Sequence, residues 1–223
     1  MENILRTRHS ARKFLDKRVD EDLIREIIAD AQQAPSWCNS QPWKAYVATG
    51  EAAKRLVAAH HENFVNKARA WADVVPPQFG ENDWNQAEWK NMLRFWEAAD
   101  AGVGEGYNDR LGLMEECTWD FHSPAIVYIT IPKDISTMFQ AYDAGAFGYG
   151  VTLAAHLRGL SCIPAYEFVR YPQEVREVFD IPEDEAIFMG IGMGYADMDK
   201  EINHLHEDER NHRVPVDEML QIV

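Results

Sequence analysis

The stretch Ser123–Ile131, SPAIVYITI, is dense in β-branched residues, with Pro124 near its start and Pro132 directly after its end. This pattern predicts a strand that is buried on both faces of a sheet. The residues after it, Thr137–Leu160, predict a long helix with almost no polar face and several small residues. A helix of that kind needs packing partners on most of its circumference, so it predicts a deeply buried position or contact with a second subunit.

Further strands and helices alternate on both sides of this unit. The predicted strands are Lys44–Thr49 and Ala186–Ala196, and the predicted helices are Val19–Pro35, Glu51–Trp71 and Pro172–Asp180. A short segment, Ser161–Phe168, precedes the last of these helices. No linker is visible, so residues 1–223 are predicted to form a single domain. The alternation predicts an α+β fold, with a mixed sheet flanked by helices.

One segment, Trp71–Trp119, interrupts the alternation. It holds five of the seven tryptophans and several Gly- and Pro-containing breaks. We expect an excursion of helical pieces and loops here. Trp84, Trp89, Trp96 and Trp119 are candidate walls of a pocket for a flat aromatic substrate, and a purely structural role in the core is the alternative.

Composition narrows the class of protein. The chain has 223 residues and a formal net charge of −15, with +3 over residues 1–70 and −18 over residues 71–223. Most of its surface would repel phosphates, so we expect no nucleic-acid partner, and no apolar run is long enough for a membrane span. The N-terminus lacks a signal-peptide pattern and the three cysteines are widely spaced, which predicts a cytoplasmic location.

Positive charge is concentrated at the front of this acidic chain. The stretch Arg6–Phe14, RTRHSARKF, contains three arginines, a lysine and His9. Guanidinium groups bind phosphate oxygens through paired, charge-assisted hydrogen bonds. The stretch is therefore a candidate site for one small phosphate-bearing ligand, with a solvated basic surface as the alternative.

Four motifs, in order, carry a resemblance to a known family. They are RHSARKF with APSWCNSQPW (Ala34–Trp43), GYGVTLAAHLRGLSCIPAYEFVRYP (Gly148–Pro172), GIGMGYAD (Gly190–Asp197) and HRVP (His212–Pro215). Together they closely resemble the FMN-dependent nitroreductase family. The resemblance covers nearly the whole chain except Trp71–Trp119.

The resemblance implies an FMN phosphate site at the N-terminal motif. It implies Arg8, Ser10 and Arg12 as phosphate contacts, His9 beside them, and Arg213 as a late phosphate arginine. Many family members carry a second cation two positions before that arginine, where this chain has Asn211. Arg210 could substitute for it.

The resemblance also implies contacts to the rest of the flavin. Pro35, Ser36 and Asn39 are expected to reach it from the other subunit. The segment Pro164, Ala165, Tyr166 and Glu167 is expected to place backbone N–H groups near flavin N5, and Asn66 loosely matches a ring-binding asparagine.

The function implied is that of an intertwined FMN-binding homodimer. NADH or NADPH would reduce FMN, and a small aromatic electron acceptor, a nitroaromatic or a quinone, would then be reduced by ping-pong two-electron transfer. The cofactor carries the redox chemistry, so no catalytic side chain is expected. Two alternatives stay open: another flavin reduction on this scaffold, such as enone reduction or reductive dehalogenation, and a non-catalytic flavin-binding protein.

Other patterns have simpler interpretations. GVGEGY and GIGMGY lack the spacing and context of a dinucleotide fingerprint, so turns and close backbone packing explain them better. The histidines His204, His206 and His212 lie in a polar stretch without a neighbouring cysteine, and we expect no metal site. Cys38 has no partner for nucleophilic catalysis nearby and is expected to be a packing residue.

Overall fold

The structure is a computed structural model. It describes residues 3–74, 86–87, 89–95, 116–134, 138–207, 209 and 213–223. Most of the excursion, including Trp84 and Trp96, and the positions Arg210 and Asn211 lie outside the described residues. The described part of the excursion is helical at 86–87 and 89–95.

A four-stranded sheet organises the chain. Its strands are β1 (Lys44–Thr49), β2 (Ala125–Pro132), β3 (Ser161–Ala165) and β4 (Glu185–Gly194), in the spatial order β1-β2-β4-β3. The predicted central strand is confirmed, because β2 lies between two neighbours and its first seven residues are buried.

Helices cover both faces of this sheet. They are α1 (Ile4–Thr7), α2 (Glu21–Ala31), α3 (Gly50–Val65), α4 (Met138–Leu157), α5 (Pro172–Phe179) and α6 (Val216–Met219). On one face α2 and α4 pack against Val127 and Ile129, and on the other α3 and α5 pack against Ile126 and Tyr128. Alternate residues of β2 thus serve two cores, as the period-2 geometry of a strand requires. The predicted α+β fold with flanking helices is confirmed.

The strand pairing differs from the predicted mixed sheet in one respect. All three neighbouring pairs of these strands are antiparallel. Helix α4 does connect two parallel strands, β2 and β3, as a crossover helix should, but β4 inserts between them and pairs with both. Parallel contact among the described residues is limited to the bridge between Ser10 and Cys162.

Helix α3 is shorter than the sequence predicts. It ends at Val65, because Lys67 adopts a left-handed backbone conformation (φ 54°) and the Ala68 N–H turns back to the Asn63 carbonyl at 2.8 Å. This hydrogen bond satisfies a carbonyl that the helix end would leave open.

Helix α4 is buried along one side and open along the other. Ala144, Phe147 and Val151 are fully buried, whereas Met138 and Tyr142 are 89% and 73% exposed. An apolar face of this kind, left exposed by the described residues, is typical of interaction surfaces. In the part of the chain that the structure describes, no helix combines the length and apolarity needed to cross a membrane.

Candidate cofactor site

The basic N-terminal loop lies alongside β3. Ser10 forms a parallel bridge with Cys162, and the Ala11 N–H donates to the Cys162 carbonyl at 3.2 Å. Strand β3 contains Pro164 and leads directly into Tyr166. The fold therefore brings two predicted cofactor segments, far apart in sequence, to one surface of a single chain.

A mostly apolar cavity of about 410 Å³ lies where these segments meet. It is lined by Arg8 and Ser10 of the loop, by Pro164 of β3, and by apolar residues of α4 and the sheet, among them Gly148 and Ile191. We call it the apolar slot. Its composition suits a flat ring system that offers a few polar edge atoms.

A larger cavity of about 950 Å³ adjoins the slot, sharing Arg8 and Ser10 with it. We call it the arginine cavity, since its lining includes Arg6, Arg8, Arg12, Arg94 and Arg213, together with His9 and His206. No acidic side chain is among its described lining residues. An apolar slot that opens into such a cavity matches a ligand with a flat ring at one end and a phosphate at the other.

Arg8 lies between the two cavities and lines both of them. Its Cζ lies 5.9 Å from the centre of the Tyr149 ring, and its Nε is buried without a hydrogen-bond partner among the described residues. A buried, unpartnered guanidinium N–H is costly unless an acceptor is supplied. The residues present therefore fit an anionic group bound at this point.

Arg12 is held in place from three directions. Its Nη1 donates to the Ser10 carbonyl at 3.1 Å, its Cζ lies 4.8 Å from the centre of the Phe95 ring, and its backbone N–H donates to Asn203 Oδ1 at 2.6 Å. Burial lowers the pKa of Arg12 to about 10, so it stays charged at neutral pH. The cation is thus fixed and partly desolvated before any ligand binds, which strengthens charge-assisted hydrogen bonds.

Asn203 cross-links the basic loop to the C-terminal part of the chain. Its Oδ1 accepts from the backbone N–H groups of Arg12 and Lys13, and its Nδ2 donates to the carbonyls of Lys13 and Asp197. The side chain is buried, so each of these bonds is shielded from water. Asn203 therefore sets the path of the loop.

The segment Pro164–Glu167 passes from β3 into a short 3-10 helix, Tyr166–Val169. The Glu167 carboxylate accepts from Arg170 Nη1 at 3.0 Å, so its side chain is already engaged. Of the four predicted residues only Pro164 lines the slot, and Ala165, Tyr166 and Glu167 follow it along the chain. This arrangement agrees with the expected placement of backbone N–H groups of this segment near flavin N5, which stays a prediction.

Glycines of β4 make room for this segment. A Cβ at Gly190 would lie 2.2 Å from the Cβ of Phe168, and one at Gly192 would lie 2.7 Å from the Phe168 ring. The expectation that GIGMGY reflects close packing is therefore confirmed. Phe168, fully buried, anchors the 3-10 helix against the sheet.

Gly190→Ala is expected to lower the free energy of unfolding by about 1–3 kcal/mol, because the clash is with Phe168 Cβ and cannot be relieved by a rotamer change. Gly145→Ala on α4, where an added Cβ meets nothing within 4 Å, is the matched control and should cost nothing. Urea denaturation of both variants measures the difference. Equal unfolding midpoints would show that the close approach at Gly190 is unimportant.

Pro35, Ser36 and Asn39 lie apart from the slot. Pro35 and Ser36 line a separate cavity with Met138 and Tyr142 of α4, where the Trp37 N–H donates to Asp143 Oδ2 at 2.9 Å. Asn39 is exposed and has a left-handed backbone (φ 58°). Within one chain these residues line neither the slot nor the arginine cavity.

Asn66 is the exposed residue that caps the end of α3. It is not among the lining residues of either cavity. The end of α3 does lie beside the 3-10 helix, since the Arg170 Cζ is 5.6 Å from the centre of the Phe64 ring. A cofactor role for Asn66 stays a prediction.

The nitroreductase family model matches residues 5–195. The chain belongs to the nitroreductase family. The match includes the basic loop and the segment Pro164–Glu167, but it ends before Arg213, which only the geometry of the arginine cavity connects to them.

Named nitroreductases are similar to this chain over most of its length. A 4-nitrobenzoate reductase of Pseudomonas putida is 28% identical over 206 residues, covering 91% of this chain and 88% of the relative. A nitrobenzene nitroreductase of Ectopseudomonas oleovorans is 28% identical over 204 residues, covering 88% and 87%.

Solved nitroreductases share the fold over nearly the full length. The FMN-dependent nitroreductase NfnB from Mycobacterium smegmatis, in complex with NADPH, superposes with a TM-score of 0.84 at 24% identity, covering 99% of this chain and 96% of its own. The FMN- and NADPH-dependent NfnB from Sphigopyxis sp. strain HMH gives 0.82 at 25% identity, covering 99% and 97%.

Two of the four candidate pocket tryptophans of this nitroreductase, Trp89 and Trp119, lie among the described residues. Trp119 stacks on His61 with ring centres 3.5 Å apart and lines a separate cavity with Lys13 and Phe14. Trp89 is 41% exposed and lines neither cofactor cavity. The excursion contact that sequence reasoning missed is Phe95, which covers Arg12.

Sequence reasoning also gave His206 no role in the site. Its ring stacks on His9, with centres 3.8 Å apart and planes 8° from parallel. The sequence offered only a histidine-rich stretch, and among the described residues no cluster of potential metal ligands is present.

Proposed function

We propose that this nitroreductase is an FMN-dependent enzyme that takes electrons from NADH or NADPH and reduces nitroaromatic or quinone acceptors. One observation carries the proposal: an apolar slot opens into an arginine cavity whose described lining holds no acidic side chain, and the buried Arg8 Nε between them has no acceptor among the described residues. Named relatives that reduce 4-nitrobenzoate and nitrobenzene support the acceptor class.

Each part of the site has a task in this scheme. Arg8, Ser10, Arg12 and Arg213 would hold the phosphate, and the slot would exclude water from one face of the ring. When bound, FMN accepts a hydride equivalent from the nicotinamide and delivers two electrons to the acceptor. Backbone N–H groups near Glu167 would stabilise negative charge on the ring edge, since preorganised donors act strongly in a shielded site.

Donor and acceptor are proposed to use the same open face in turn. This predicts ping-pong kinetics, with two-electron nitro reduction that persists in air. Enone reduction and reductive dehalogenation remain alternatives on the same scaffold, because the fold does not fix the acceptor. The cysteines Cys38, Cys117 and Cys162 are unpaired, and a cytoplasmic location stays a prediction.

The test begins with the spectrum of the purified protein. We expect a yellow protein whose flavin absorbance is bleached by anaerobic titration with NADH or NADPH and restored by 4-nitrobenzoate, nitrobenzene or a benzoquinone. Initial rates at several fixed acceptor concentrations should give parallel double-reciprocal lines. A protein that cannot be loaded with FMN would overturn the proposal, and a loaded protein that neither nicotinamide bleaches would favour a non-catalytic flavin carrier.

We further propose that the functional unit is a homodimer. The exposed face of α4 is apolar, and a cavity of about 590 Å³ lies between α2 and the edge strand β1. The C-terminal residues Leu220, Ile222 and Val223 are apolar and mostly exposed. An apolar extended tail can add to an edge strand of a second chain, and the family resemblance implies that the Ser36 loop reaches the flavin of the partner.

Deleting Val214–Val223 is therefore expected to weaken the dimer and lower the FMN content together. Light scattering and the ratio of flavin to protein absorbance measure the two effects. Replacing Asp217 and Glu218 by alanine, which keeps the tail length and its apolar residues, is the control and should change neither. A truncated protein that stays dimeric and fully loaded would contradict the role of the tail.

A further inference from the structure

The stacked pair His9 and His206 adds two titratable rings to the arginine cavity. The rings come from the N-terminal loop and from the 3-10 helix Glu201–Glu207. Both line the same cavity as Arg12 and Arg213. The protonation state of these two imidazoles decides whether they can donate a hydrogen bond to an anionic ligand in the cavity.

Backbone carbonyls fix the tautomer of both rings. His9 Nδ1 lies 3.2 Å from the Thr7 carbonyl oxygen, and His206 Nδ1 lies 3.2 Å from that of Asn203. A carbonyl only accepts, so each Nδ1 must carry the proton. The neutral rings consequently have bare Nε2 atoms, which cannot donate to a phosphate oxygen, and only protonation turns them into donors.

The surroundings of His9 oppose its protonation. Burial lowers the pKa of His9, and the nearby His206, His156 and Arg8 lower it further, against the hydrogen bond to Thr7. Around His206, Glu207 Oε1 lies 3.8 Å from Nε2 but is also hydrogen-bonded by His204 Nδ1 at 2.8 Å. The other charged groups lining the cavity are Arg6, Arg12, Arg94 and Arg213.

We propose that the His9–His206 pair takes up one proton from solvent when the FMN phosphate binds, so that His206 acts as a further cation of the phosphate site. The inference rests on the proposed function. One proton is expected for the pair, because two imidazolium rings 3.8 Å apart would repel each other. The added charge on His206 would replace the second late cation, which the family pattern places where this chain has Asn211.

Proton uptake makes FMN affinity depend on pH in a defined direction. Between pH 7 and 8.5 the phosphate is already a dianion, since its second pKa is about 6, so its own titration does not contribute. We expect the dissociation constant of FMN to rise about three- to tenfold for each pH unit in this range, the upper limit for one linked proton. Riboflavin, which lacks the phosphate, should show no such dependence.

The experiment uses the full-length apoprotein, with FMN binding followed by quenching of flavin fluorescence. Calorimetric titration in two buffers of different ionisation enthalpy counts the protons taken up. His206→Gln should abolish the uptake and bind FMN weakly at every pH, whereas His206→Lys should abolish the uptake and bind tightly even at pH 8.5. His122→Gln removes an imidazole that lines a different cavity and should behave as the wild type.

The outcomes separate this inference from the proposed function. Normal FMN binding with no proton uptake would overturn the inference alone. Uptake that survives in both His206 variants would also overturn it, because the proton would then belong to another group. Failure of the wild-type apoprotein to bind FMN at any pH would overturn the proposed function and the inference with it.

Discussion

Replacement of Arg8 by alanine is expected to weaken FMN binding by roughly ten- to a hundredfold, corresponding to a lost charge-assisted hydrogen bond of about 1.5–3 kcal/mol. Arg8 lines both the apolar slot and the arginine cavity, and its Nε is buried with no hydrogen-bond partner in the described part of the chain. Removing Arg8 deletes an N–H donor that is already desolvated and would bind a phosphate oxygen of FMN. The dissociation constant from fluorescence quenching of the apoprotein with FMN measures the loss.

Two variants sharpen this prediction. Arg8→Lys keeps the charge but not the planar fork, so it should lie between wild type and Arg8→Ala. Arg18→Ala removes an exposed arginine that pairs with Glu21 and should leave FMN affinity unchanged. Equal affinities for Arg8→Ala and Arg18→Ala would contradict the assignment of the phosphate site.

Local patterns predicted most of the elements. β1 was predicted at its observed bounds, and α2 (Glu21–Ala31) lies within the predicted helix Val19–Pro35, because alternation and helical periodicity are encoded within a few residues. The position of β4 between β2 and β3 could not be predicted in this way. Alternating strands and helices specify the crossover, but the order of strands in space depends on which edges pair at long range.

The residues of the candidate site also fall into two groups, those in local sequence motifs and those defined by long-range contacts. The basic loop and Pro164–Glu167 are contiguous motifs, and the sequence displays them. Phe95, Asn203 and His206 act through contacts with residues far away in the chain, and nothing in their own neighbourhoods signals those contacts. The close approach of Gly190 to Phe168 is intermediate, since the glycine pattern indicated tight packing without naming the partner.

A buried histidine–aspartate pair of the same long-range kind joins α3 to the segment before β2. His60 Nδ1 lies 2.7 Å from Asp120 Oδ2, and both side chains are almost fully buried. Asp120, Phe121 and His122 all have left-handed backbones (φ 48°, 54° and 53°), an unfavourable conformation for residues with a Cβ. The pair therefore anchors a strained turn to the α3–α5 face of the sheet.

Asp120→Ala is expected to lower the free energy of unfolding by about 3–5 kcal/mol, because it leaves His60 buried without its counter-ion and removes a residue type that tolerates the left-handed turn. Denaturation in urea measures this loss. Glu51→Ala, which breaks the exposed pair with Lys54, is the control and should cost less than about 1 kcal/mol.

The pH dependence of stability tests the charge of the pair separately from its packing. Burial alone would lower the pKa of His60, but the Asp120 carboxylate, its hydrogen bond and the charges of Glu174 and Glu167 together raise the pKa above the ordinary 6.5. A raised histidine pKa stabilises the fold below pH 6.5, and this contribution is lost as the pH rises through the raised value. In Asp120→Asn the amide can keep the shape of the turn, and burial of His60 is then opposed only by the smaller effects of Glu174 and Glu167, so stability should no longer fall above pH 6.5. If wild type and Asp120→Asn lost stability in parallel as the pH rose from 6 to 9, the buried pair would not be ionic, and the turn would owe its stability to hydrogen bonding and packing alone.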